Sequence, residues 1–156
     1  MKNRFFTTVG FAILVTILPP VVVGQSNERI DELLQQVPAE QGHTAYMVLT
    51  TAGILSDQVS AVGAFRHAQQ LGFLAQDSSP EDPVSFGLFA HLLLQTFEIP
   101  GGAMYRAFPG PRYAAREVVA QGWSRQRRPP RERIDGETVM RILSVYYNQA
   151  EQGGAR

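Results

Sequence analysis

Apolar side chains recur at intervals of three and four residues along most of this chain, and no window alternates as a half-buried strand does. The pattern therefore predicts an all-α fold. The first helix is expected over residues 28–36, after a cap at Ser26 or Asn27, and Pro38 ends it. Its predicted inner face consists of Ile30, Leu33, Leu34 and Val37.

Two further helices are predicted before residue 73. The second begins at His43 or Thr44 and carries a dense apolar run. Asp57 is the predicted cap of the third helix, and Gly72 ends it because glycine adopts the left-handed conformation without steric cost. The predicted inner face of the third helix consists of Val59, Val62, Phe65, Ala68 and Leu71.

The second half of the chain has clearer helix boundaries. Ser85 is the predicted cap of a helix over residues 86–97, and Pro100 begins a break. Pro111 suits the first position of the next helix, where its missing amide donor does no harm. Asp135 is the predicted cap of the last helix, and residues 151–156 read as a polar, disordered tail.

The chain also matches itself when it is shifted. Residues 64–98 align without a gap on residues 114–148, so that helix caps, helix-ending glycines and apolar positions coincide. A shift of 45 residues relates part of the second helix to the fourth. We therefore predict one small domain, residues 25–150, built from about two and a half tandem helix–loop–helix repeats. The partial copy covers 28–54, and the fuller copies cover 58–99 and 111–148.

These repeats resemble the S-layer homology (SLH) repeat. The resemblance rests on a short helix that opens with Tyr113-Ala114 and closes at Gly122, and on a longer helix that follows Ile134-Asp135. It implies a pseudo-threefold helical domain that binds cell-wall polysaccharide. The family signature at the start of the longer helix is Ile-Thr-Arg-Ala-Glu. In this chain residues 134–138 and 84–88 keep the helix cap and lack the arginine.

The N-terminus reads as an export signal. Lys2 and Arg4 precede an apolar run from Phe5 to Leu18, which is shorter than the roughly 20 residues that span a bilayer. We predict that residues 1–24 are a signal peptide that is cleaved near Gly24. The mature protein is then expected in the periplasm or at the cell surface, without a membrane span.

Charge is unevenly distributed, although the whole chain has a formal net charge of zero. Residues 25–100 carry two arginines and nine acidic residues, whereas residues 101–156 carry ten arginines and five acidic residues. The basic half contains an arginine-rich loop around Pro129-Pro130, which could dock on an anionic polymer, a lipid headgroup layer or an acidic protein surface. It could equally be a solvated loop that balances the acidic half. The candidate partner-binding residues are Trp123, Arg125, Arg127, Arg128, Arg131 and Arg133.

Catalytic chemistry finds no support in the sequence. The chain has no cysteine, no Gly-x-Ser-x-Gly elbow and no phosphate-binding Gly-rich loop. His43, His67 and His91 lie on different predicted helices, so we expect no metal, cofactor or catalytic residue. The sequence predicts a non-catalytic exported protein that binds a partner in a cell-envelope assembly, or alternatively an SLH-like module that binds anionic cell-wall glycan. A nucleic-acid partner is not expected for an exported chain that is not basic overall.

Overall fold

The structure is a computed structural model that describes residues 24–154, with side chains from 27 to 152. The predicted signal peptide therefore lies outside the described residues, except for Gly24. Within the described range the protein is all-α, as predicted, and has isolated β-bridges but no strand. Its helices are α1 (Gly24–Leu34), α2 (Gln41–Thr51), α3 (Ala61–Gln70), α4 (Phe86–Thr96), α5 (Ala103–Ala107), α6 (Pro111–Ala120) and α7 (Gly136–Gly154).

The helix starts predicted in the second half of the chain are confirmed. The hydroxyl of Ser85 accepts a hydrogen bond from the amide of Leu88 at 3.2 Å at the start of α4. A carboxylate oxygen of Asp135 accepts one from the amide of Thr138 at 2.7 Å at the start of α7. Pro111 is the first residue of α6. Each of these helix starts depends on a residue within its own first turn, so it could be predicted from the sequence alone.

The starts predicted for α2 and α3 are wrong. Helix α3 begins after Ser60, whose hydroxyl accepts from the amide of Gly63 at 3.1 Å, and Asp57 is not its cap. Helix α2 begins two residues earlier than the predicted His43, with Glu40 at the cap position and no side-chain capping bond there. Another segment supplies the hydrogen-bond acceptor at this helix start, since the amide of Gln41 donates to the carbonyl of Asp82 at 2.9 Å.

The predicted inner faces are partly wrong. Val37 is 82% exposed, and Leu34, Val62 and Leu71 are also exposed. The side chains that fill the core come mainly from α2 and α4, each of which buries eight of its eleven residues. The largest fully buried ones are Phe86, Phe89, Leu33, Leu49, Leu92, Leu93, Leu94, Ile134, Ile142, Val48, Val84 and Val118.

The helices lie in the same register as the shifted sequence. Helices α3 and α6 begin and end 50 residues apart, and α2 and α4 begin and end 45 residues apart. Gly72 and Gly122 follow α3 and α6, and each has a φ of 77°. Only glycine adopts that conformation at no steric cost. The number of repeat copies stays a prediction. The spacings of 50 and 45 residues found in the sequence are, however, also the spacings between these helices.

A closed ring of three backbone hydrogen bonds joins the starts of α2, α4 and α7. The amide of Ala39 donates to the carbonyl of Ile134 at 2.8 Å, and the amide of Val84 donates to Ala39 at 2.8 Å. The amide of Ile134 donates to Val84 at 3.2 Å and completes the ring. These residues are 45 and 50 positions apart and are all buried, so three distant segments are tied at one point of the core.

The C-terminal helix is longer than predicted. Helix α7 continues to Gly154, so residues 151–154, which were predicted to be part of a disordered tail, are helical. Between residues 24 and 154 no helix combines the length and the apolar character that a bilayer span requires.

Candidate functional site

A groove with a volume of about 830 Å³ lies between α6 and the arginine-rich loop that follows it. Its floor is apolar, since it is formed by Ala115, Val119 and Ala120 of α6 together with Pro129 and Pro130 of the loop. We call this feature the Arg groove, because the remaining lining residues are Arg112, Arg116, Arg127 and Arg128.

The Arg groove brings together arginines from two segments. Arg112 and Arg116 are four residues apart on α6 and therefore share one face of that helix. Arg127 and Arg128 face them from the loop, and no carboxylate is among the lining residues. Arg128 forms an ion pair with Glu132, which lies outside the lining. Several guanidinium groups on an apolar floor form a site suited to carboxylate or phosphate groups.

Only part of the predicted binding set belongs to this groove. Arg127 and Arg128 line it, whereas Arg125, Arg131 and Arg133 are exposed and lie outside the lining. Arg133 pairs with Ser85 in an isolated antiparallel bridge, which ties its backbone to the start of α4. The arginines of the loop therefore do not form one cluster.

Trp123 is not available to a partner, contrary to the prediction. Its side chain is 7% exposed, and its ring packs edge-on against Tyr146 at a centroid distance of 5.0 Å. The indole nitrogen donates to the side-chain oxygen of Gln149 at 2.8 Å. Trp123 thus holds α7 against the loop behind α6, and its role is structural.

The groove is open because small residues occupy its floor. Ala115 and Val119 stand 50 positions after Phe65 and Gln69, which belong to α3. In that earlier segment the side-chain amide of Gln69 donates to the carbonyl of Ala75 at 2.8 Å and thereby ties the loop to its helix. Val119 cannot donate such a bond, and Ala115 lacks the ring of Phe65. The two helix–loop segments therefore differ in the side chains that stand between helix and loop.

The sequence analysis missed Arg112 and Arg116. They lie 13 and nine residues before Arg125, the first arginine of the loop, so a search for one continuous basic segment does not include them. Their spacing of four residues on a predicted helix was the signal that could have placed them on one face. The fold then brings that face to the loop.

The histidines do not form a common site. His43 lies between two carboxylates, with Glu32 and Glu40 each at 3.2 Å from one of its ring nitrogens. His91 is half-buried, and its Nδ1 lies 3.0 Å from the hydroxyl of Tyr105. Burial lowers the pKa of His91 below its ordinary value, so the ring favours its neutral form. Among the described residues, no group of three or more His, Asp or Glu side chains is placed to hold a metal ion.

A second, smaller cavity of about 450 Å³ lies between α2 and α7. No charged residue lines it, so it offers no counter-ion to an anionic ligand. It is lined by Met47, Thr51, Met140, Leu143, Ser144, Tyr147 and Asn148.

Comparisons of the chain with protein-family models, with curated proteins and with solved structures find no match. The geometry of the Arg groove is therefore the main structural indication of what this protein binds.

Proposed function

We propose that this protein is a non-catalytic binding module of the cell envelope, and that its Arg groove holds anionic groups of a cell-wall polymer. The observation that carries the proposal is that four arginines line an apolar cavity whose lining contains no carboxylate. Guanidinium groups attract anions and form paired hydrogen bonds with carboxylate or phosphate oxygens. An apolar floor suits the uncharged part of a sugar unit.

Export is part of the same proposal and is supported by the sequence alone. The basic start and the apolar run from Phe5 to Leu18 favour a secreted protein, and a wall polymer is present only outside the inner membrane. The resemblance to SLH repeats also favours a wall ligand. The ring that joins Ala39, Val84 and Ile134 supports this resemblance, because the resemblance implies a pseudo-threefold domain and each of the three residues precedes a helix by two positions. The family signature arginine is absent, so the proposed site uses α6 and its loop instead.

A sedimentation assay with purified cell-wall sacculi tests the proposal. The exported protein should co-sediment with sacculi at low salt and should be released at high salt, because salt screens exposed charges. Replacement of both Arg112 and Arg116 by alanine should abolish the binding, since these residues form one wall of the groove.

The matched control is the double replacement of Arg125 and Arg133 by alanine. It removes the same charge from the same half of the protein, but neither residue lines the groove. The control should bind almost as well as the parent. Equal losses from both pairs would mean that general positive charge, and not the groove, attracts the wall.

The sequence also predicts a protein partner in a cell-envelope assembly. An acidic surface of such a partner could bind in the Arg groove. The assay separates the two classes. If the parent stays in the supernatant with sacculi at both salt concentrations but captures an envelope protein from a detergent extract, the wall proposal fails and the assembly proposal replaces it.

A further inference from the structure

We propose that α5 and the turn after it form a second binding surface, which contacts an anionic lipid membrane through Met104 and Phe108. This inference goes beyond the wall-binding proposal, since neither residue lines the Arg groove. Met104 is 60% exposed and Phe108 is 64% exposed, although both are large and apolar.

The two side chains are neighbours and not scattered exceptions. They are four residues apart, and the amide of Phe108 donates to the carbonyl of Met104 at 3.0 Å, so one turn of backbone brings them together at the end of α5. The ring of Phe108 also lies 6.3 Å from the ring of Tyr113. A contiguous exposed apolar surface with a polar rim marks a protein or membrane contact, whereas isolated apolar residues do not.

The core holds α5 in this orientation. Tyr105 is buried between Met104 and the exposed Arg106, and its hydroxyl accepts a hydrogen bond from the side chain of Gln95 at 2.8 Å. The Nδ1 atom of His91 lies 3.0 Å from the same oxygen. Tyr105 anchors α5 to the core, whereas Met104 and Phe108 on either side of it are exposed.

The charge around this apolar pair fits a negatively charged surface. Residues 101–128 contain six arginines and a single acidic residue, Glu117. Arg116 lies over the ring of Tyr113, with its guanidinium carbon 5.6 Å from the ring centroid. The apolar pair is therefore continuous, through Tyr113, with the basic face of α6. Exposed aromatic and apolar residues beside arginines are the composition of segments that rest in the interface of anionic membranes.

Vesicle co-sedimentation tests this surface. The exported protein is mixed with vesicles of phosphatidylcholine alone, or of phosphatidylcholine and phosphatidylglycerol in equal parts. We expect binding to the anionic vesicles and little binding to the neutral ones. Phe108→Ser should weaken the binding about tenfold, because the variant has no aromatic ring to transfer from water into the membrane. Every variant is compared with the parent in the same N-terminal form, verified by mass spectrometry.

Val37→Ser is the matched control, because Val37 is also exposed and apolar but belongs to the segment before α2. It should bind vesicles as the parent does, and both variants should keep the parent's thermal melting curve. Equal vesicle binding by the parent and Phe108→Ser would overturn the proposal. A parent that dimerises in sedimentation velocity through Phe108, and does not bind vesicles, would also overturn it and assign the surface to a second copy. Neither result affects the sacculus assay, which contains no lipid.

Discussion

The carboxylate of Asp135 should stabilise the fold in a way that depends on pH, and Ser85 provides a matched comparison. Both residues cap a helix 50 positions apart, through a hydrogen bond from the amide three residues later. The bond to Asp135 is 2.7 Å long and that to Ser85 is 3.2 Å long. An ionised acceptor forms the stronger bond and also interacts favourably with the helix dipole.

We expect Asp135→Ala to lower the free energy of unfolding by about 1.5 kcal/mol at neutral pH, and Ser85→Ala to lower it by about 1 kcal/mol. In urea these losses correspond to midpoint shifts of roughly 0.5–1 M for a protein of this size. Equilibrium unfolding followed by circular dichroism measures both.

The pH dependence separates the two caps. Hydrogen bonding to Thr138 holds the pKa of Asp135 below its ordinary value, and Arg128 and Arg141 contribute to the same shift. A lowered folded pKa means that the unfolded chain binds more protons, so the stabilisation is complete above an unfolded pKa of about 3.9 and is lost as pH falls through the folded pKa. The difference between parent and Asp135→Ala should therefore shrink in acid, whereas that for Ser85→Ala should not. A cost of Asp135→Ala that is the same at neutral and acidic pH would refute the reasoning.

Three other substitutions have defined outcomes. Gly136→Ala should lower stability by about 2 kcal/mol in urea unfolding, because its Cβ would overlap the carbonyl oxygen of Leu33 and α1 would have to move. Trp123→Phe should cost about 1 kcal/mol by removing the hydrogen bond to Gln149, and should leave sacculus binding unchanged. The parent should lose stability as pH falls below about 6.5, because burial lowers the folded pKa of His91 and the unfolded chain then binds more protons. This loss should be smaller in His91→Gln. Parallel pH–stability curves for parent and His91→Gln would contradict this.

The fold class and several helix boundaries could be predicted because their signals are local. Ser85, Pro111 and Asp135 each satisfy or replace an amide donor within one turn, and that chemistry is visible in the sequence. Asp57 and Ser60 are both good caps within four residues, and the sequence could not choose between them. The choice depends on which start lets the helix pack.

The errors in the core and in the site arise from tertiary packing. Helix periodicity assigned Val37 to an inner face, but α1 ends at Leu34, and Val37 is exposed in the connection to α2. Trp123 lies next to a basic loop in the sequence, yet its ring fills the space beside Tyr146. Arg112 enters the site only because the loop folds back on α6. The local sequence pattern identifies the helices, whereas the contacts of each side chain depend on how the helices and loops pack against one another.

The most direct test of the account closes the Arg groove without changing its charge. Ala120 lines the groove and is exposed, so Ala120→Phe should place a ring in the groove without disturbing the core. Binding of the protein to sacculi is then measured at low salt for parent and variant, with thermal melting as a check on the fold. The account predicts that Ala120→Phe remains folded and loses wall binding, although all of its arginines are present. A folded variant that binds sacculi as tightly as the parent would contradict the claim that the groove is the binding site.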